Sequence, residues 1–228
     1  MVDIFARLCY DNGCGYHIFI NIKKEDAVFS YEYRRGNMKK FFSRFKLNAP
    51  VTLGFVALCC ISLFLNYVTK GWANEKLFSV YRGSWLNPLT YVRCLGYAIG
   101  HADWTHFAGN ITYILLLGPL VEEKYGSKSL FEMILITVII TAVFHLLFFD
   151  NVALLGASGI VFMLIILSSI SNVKSGEIPI TFVIVCIVFL GGQVMQSFQE
   201  DNISQLGHIV GGVCGGIFGL FMAGHEKE

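Results

Sequence analysis

The sequence predicts an all-α membrane protein, a bundle of six transmembrane helices with a membrane-interface connection between the first and the second. Three observations carry that expectation. Of 228 residues, 55% are hydrophobic and 14% charged, where a soluble domain carries about 25% charged residues. Six apolar stretches approach the roughly 20 residues that a helix needs to cross a bilayer core. Basic residues also collect in alternate connections, the bias that sets membrane orientation. Lys plus Arg at 17 against Asp plus Glu at 16 leave a net charge of +1, so the lipid bilayer is the implied partner and nucleic acid is not.

Residues 1–49 read as a polar cytoplasmic segment, in which "YHIFINIK" hints at a strand. The first apolar run begins near residue 51 with no small-residue cleavage site after it, so it is expected to stay as an anchor. The spans are expected at about 50–68, 105–121, 130–148, 156–171, 178–196 and 206–223, with a short tail at 224–228. The fourth and sixth are rich in small residues, which suits helices packed inside a bundle. Pro119 is expected to bend the second span, and a carboxylate of Glu122 or Glu123 to tie down a connection at its inner end.

"MKKFFSRFK", "EEKYGSKS", "NVKSGE" and "GHEKE" all carry basic residues, whereas "FFDNVALL" and "SFQEDNISQ" carry none. The first group is therefore placed in the cytoplasm, with both termini, in a multi-pass protein of the cell membrane. The long connection 69–104 holds Lys70, Lys76, Arg82 and Arg93 on the other side, where long loops weigh less. Seven scattered cysteines without a C-x-x-C pair read as free thiols, and no metal or organic cofactor is implied.

This topology makes the second, fourth and sixth spans enter from the outer face. "HFAGN" puts His106 and Asn110 one helical turn apart on the second, "GASG" puts Ser158 at the opening of the fourth, and "GHIVGGVCGG" puts His208 on the sixth. Polar groups inside a membrane are costly unless paired or lining a wet cavity, and by default mark function. Gly207, Gly211, Gly215 and Gly219 form a smooth stripe, while Gly156 and Gly159 flank Ser158, so that two backbones can approach closely.

Ser158 with His208 makes a nucleophile and its general base. His106, Asn110 and the Ser158 backbone N–H are donors suited to a developing oxyanion. No acidic residue lies in the core of any span to orient His208, since Asp150 and Asp201 fall in connections, so the pair is expected to work as a dyad. Phe162, one turn after Ser158, is placed to stack on the imidazole. His101 is expected to order the loop or cavity water, and His145 to satisfy a local hydrogen bond.

These three motifs, in order on alternating spans, make the chain resemble the rhomboid family of intramembrane serine proteases over roughly residues 50–223. The resemblance implies Ser158 as nucleophile, His208 as base, and His106 with Asn110 in the oxyanion hole. It implies a water-filled cavity open to the outer side and, as partners, transmembrane protein substrates cut near their outer ends. The connection 69–104 then resembles the family's first loop, a partly helical lobe in the outer leaflet. Phe162 stands where family members often carry Tyr; Tyr81–Arg82 or Tyr91–Arg93 stand only approximately for a Trp-Arg pair frequent in that loop. Two other classes compete: a catalytically inactive rhomboid-like protein that binds membrane helices, and a small transporter. The inactive reading has no need of Ser158 and His208 together, and a transporter would be expected to show inverted repeats.

Overall fold

Proline suits a first helical turn because its missing N–H has no partner to lose, and α1 begins there, at Pro50–Val68. The computed structural model describes residues 47–150, 152–170, 180–185, 187 and 202–223. The chain divides into two compact units, Met1–Leu47 and Asn48–Glu228, and every described residue except Leu47 lies in the second. The strand expected in "YHIFINIK" and the short tail fall outside the described residues.

After α1 come α2 (Trp72–Lys76), α3 (Pro88–Gly96), a 3-10 turn (Tyr97–Ile99), α4 (Trp104–Tyr125), α5 (Ser127–Phe148), α6 (Ser158–Ile170), α7 (Ile180–Val185) and α8 (Asn202–Ala223). Pro50–Val68, Ser127–Phe148 and Gln205–Met222 are long and apolar enough to cross a membrane, with mean hydropathies of 2.1, 2.4 and 1.4. Helix α1 buries Thr52, Cys59 and Ser62 while exposing Leu58, Ile61 and Phe64. Large apolar side chains left on the outside suit a lipid surrounding, where burial of apolar area does not drive helices together.

The elements depart from the expected spans at identifiable places. Helix α4 runs through Pro119 to Tyr125, one turn beyond the expected end, and stops where Gly126 takes a φ of 85° that few other residues adopt. Helix α6 starts only at Ser158 and is 13 residues long. It begins two residues later than expected because the chain before it is extended and tied to the first connection, as described below. Of the fifth expected span, only Ile180–Val185 and Ile187 lie within the described residues.

Helix α6 is the centre of the bundle. Every residue from Ile160 to Leu167 is buried, so it is covered on all sides. Its main neighbour is α8, and the two come together at glycine. A methyl group at Gly211 would overlap the carbonyl oxygen of Gly159, so the backbones touch there with no side chain between them.

The connection 69–104 is partly helical, as expected, with α2, α3 and the 3-10 turn in it. Arg93 is buried, donating to the Tyr81 hydroxyl at 2.7 Å and to Thr90 Oγ1 at 3.1 Å, with its guanidinium 4.3 Å from the centre of the Tyr81 ring. Arg82 has a different task. It donates to the carbonyls of Leu146 and Leu147 at the end of α5 and pairs with Asp150, fastening the lobe to that helix.

Candidate active site

Helix α4 begins at Trp104 because the Asp103 carboxylate accepts a hydrogen bond from the His106 backbone N–H at 2.8 Å. An acidic N-cap of this kind satisfies one of the free donors of the first turn. It also sets the start of the helix, and with it the register of His106 and Asn110.

Ser158 is positioned from the opposite direction. Val80 and Leu154 exchange backbone hydrogen bonds at 2.9 Å each, and the Gly156 N–H donates to the Tyr97 carbonyl at 2.9 Å. His145 adds a bond from Nε2 to the Val152 carbonyl at 3.0 Å while its ring stacks on Phe149. This is the local hydrogen bond expected of His145. The segment before Ser158 is therefore held by the first connection and by α5, and Ser158 opens α6 with Ala157 accepting the first helical bond from Val161.

Gly156 is the tightest point of this arrangement. Its φ of 125° is a conformation that side chains disfavour. A Cβ there would lie 2.7 Å from both Cε1 and Nε2 of His106 and 3.8 Å from Asn110 Nδ2. The absence of a side chain lets the imidazole edge of His106 lie against the backbone two residues before Ser158.

A cavity of about 350 Å³ opens at this place. Ser158, His106, Asn110, Phe162 and His208 all line it, together with Thr105, Gly109, Tyr113, Leu154, Leu155 and Val161. Four groups expected to meet from three spans thus share one space. The Phe162 and His208 rings are stacked, with centroids 4.4 Å apart and planes 9° from parallel. Gly211 lies outside the lining and acts through the α6–α8 contact instead.

Asn110 is 8% exposed, and its Nδ2 has no hydrogen-bond partner among the described residues. A buried amide donor without a partner is costly, and such groups in a native site need a ligand, water or reaction to explain them. Among the described residues, no Asp or Glu lines the cavity. Among the described residues, no group of three His, Cys, Asp or Glu is placed to hold a metal.

His101 stands behind His106. Its ring is fully buried, 5.2 Å from the His106 ring and 5.4 Å from Phe107, edge-on to each. Nδ1 donates to the Ile99 carbonyl at 3.1 Å, and the His101 carbonyl accepts from Asn74 Nδ2 at 2.8 Å. Burial, aided by the neighbouring His106, pushes its pKa down to about 4, so the ring is neutral at physiological pH.

Several contributors to the site were not anticipated. Asp103 was legible, since an Asp three residues before His106 at the mouth of a helix is an N-cap signal. Val80 and Tyr97 were not, because they act through backbone atoms that carry no side-chain signature. Thr105, Gly109 and Tyr113, spaced four residues apart on α4 beside His106 and Asn110, add a second strip to the cavity wall.

Residues 88–225 match the Rhomboid domain. The chain is also 29% identical over 138 residues to Rhomboid-related protein 1 of Caenorhabditis elegans, an alignment covering 56% of this chain and 38% of that protein. The chain therefore spans well under half the length of that relative. A domain match over more than half of the sequence, on a helical fold with membrane-crossing helices, makes this a multi-pass membrane protein belonging to the rhomboid family.

Proposed function

We propose that the protein is an intramembrane serine endopeptidase that cuts transmembrane proteins near the outer face of the membrane. The observation that carries this reading is the shared cavity: Ser158, His208, His106 and Asn110 line one space, although they come from three helices. In this reading Ser158 Oγ attacks the scissile carbonyl carbon as His208 takes its proton. The tetrahedral oxyanion is met by the His106 imidazole, the Asn110 amide and the Ser158 backbone N–H at the free end of α6. Collapse breaks the C–N bond, and His208 returns the proton to the leaving amine. Water, activated by His208, then attacks the acyl-serine and releases the second product.

The stacking of Phe162 supports the dyad, since no carboxylate among the described residues lines the cavity and the aromatic face restrains the plane of the imidazole. Gly156 and Gly211 support it by permitting close approach, the first toward His106 and the second between α6 and α8. Both termini lie in the cytoplasm of a cell-membrane protein in this reading, with the cavity facing outward. Labelling of the detergent-solubilised protein with a fluorophosphonate tests it. Wild type is expected to label, and Ser158→Ala and His208→Ala are expected not to. Folded wild-type protein that neither labels nor cuts a membrane-helix substrate would move the assignment to a non-catalytic helix-binding protein.

A further inference from the structure

We infer that Thr141 is a positioning residue: with Leu154 it forms the seat against which Gly207 rests, and so sets where His208 stands relative to Ser158. The inference rests on the serine-protease reading above. Glycine brings α6 and α8 together, but a backbone contact without side chains has nothing to interlock and leaves the alignment of the two helices open. Helix α5 supplies a third element at that level. Thr141 is buried there and meets a glycine on each of the other two helices. Its Oγ1 lies 3.7 Å from where a Cβ on Gly159 would stand, and its Cγ2 lies 3.7 Å from where one on Gly207 would. Gly159 directly follows Ser158, and Gly207 directly precedes His208.

Both halves of the seat are tied to the Ser158 side. The Tyr97 hydroxyl donates at 3.1 Å to the carbonyl of Val138, one turn before Thr141, while the Tyr97 carbonyl holds the Gly156 N–H. Leu154 is held by its backbone bridge to Val80, and both of its methyl carbons lie 4.0 Å from the Cβ position on Gly207. Helix α8 therefore meets a surface already registered to the nucleophile. Thr137, one turn earlier on α5, turns its hydroxyl back to the Met133 carbonyl at 2.8 Å; Thr141 makes no such bond along its own helix and directs Oγ1 at α6. A branched Cβ, stiff about χ1, is what lets one residue present an atom to each helix.

Three substitutions separate positioning from packing alone. Thr141→Val keeps both branches and loses the hydroxyl. Thr141→Ser loses the methyl that faces Gly207, and Thr141→Ala loses both branches. Turnover of a membrane-helix substrate, per folded molecule, is expected to stay near wild type in Val and to fall roughly tenfold in Ser and Ala, with KM unchanged. Wild-type turnover in Ser or Ala, or Val as slow as Ala, would overturn the proposal whatever the change in thermal stability.

Proton NMR of the His208 ring in histidine-labelled protein gives a second readout that needs no activity. The Phe162 face, 4.4 Å away on α6, shifts the ring protons of His208 upfield. That shift is expected to persist in Val and to shrink in Ser and Ala as α8 leaves its seat. The same shift in all three variants would overturn the proposal. Inactive wild-type protein whose variants follow the expected order of shifts would refute the protease reading while leaving the seat in place.

Discussion

The two ends of α4 treat buried polar groups in opposite ways. Near Tyr125, the Glu122 carboxylate is 3% exposed and accepts four hydrogen bonds: from the backbone N–H groups of Val51 and Thr52 at 2.9 Å, from Thr52 Oγ1 at 2.8 Å and from Ser127 Oγ at 2.7 Å. One side chain thereby caps α1 and fastens the start of α5. Near Trp104, Asn110 lines the cavity and is nearly as buried, yet its amide nitrogen has no partner among the described residues. A satisfied group holds helices together, whereas an unsatisfied one is kept ready for something that arrives later.

If that contrast is right, substitutions at the two ends should fail in different assays. The largest effect belongs to the open end. Asn110→Ala removes a donor that bonds only to the reacting oxygen, so turnover should drop by the equivalent of about 2.7 to 4 kcal/mol of barrier. Thermal stability should be unchanged, and binding of a helical substrate nearly so. A variant with wild-type turnover would sink the proposed role of Asn110. Loss of stability instead would mean that the amide has a structural partner.

The closed end should show the reverse. Glu122→Gln keeps the shape but replaces one acceptor oxygen with an NH2 group among donors, and removes the charge that strengthens the remaining bonds. A loss of roughly 2 kcal/mol of stability is expected, read by thermal or denaturant unfolding in detergent. The fraction that stays folded should label with fluorophosphonate at the wild-type rate. A labelling rate that fell in folded Glu122→Gln protein would show that the two ends are coupled through α4 and break the comparison.

The sequence discloses these two ends unequally. His106, Asn110, Ser158 and His208 were legible because chemistry-bearing residues inside apolar runs are rare and stand out, and the spans set them at one depth. The inner tether at Glu122 was legible in kind, since a carboxylate at a span end needs partners, but Val51, Thr52 and Ser127 as those partners were not. The start of α6 was misjudged by two residues because its limit is set by long-range backbone bonds. Hydrophobic pattern reports that residues 153–157 are apolar; it carries no trace of the Val80 and Tyr97 carbonyls that hold them extended. The α6–α8 contact, in contrast, was written plainly in the glycine stripe, because a backbone contact between helices requires the side chains to be missing.

Phe162 offers the smallest and most discriminating test, because it belongs to both categories. It is 8% exposed and so contributes packing, yet its face lies on the His208 imidazole at 4.4 Å on the cavity wall. Phe162→Leu keeps most of the apolar volume and removes the ring. A stacked aromatic pair is worth about 0.5 to 1.5 kcal/mol beyond area burial. If that energy orients His208, turnover should fall roughly two- to tenfold, since each 1.36 kcal/mol of barrier is tenfold in rate. Phe162→Tyr, which keeps the stack, should stay near wild type. If Phe162→Leu lowers stability while turnover per folded molecule stays constant, the ring is only filling space and the restraint on His208 must come from elsewhere. A drop in turnover that Tyr restores would place Phe162, on α6, with Asn110 among the groups that serve the reaction, despite its burial.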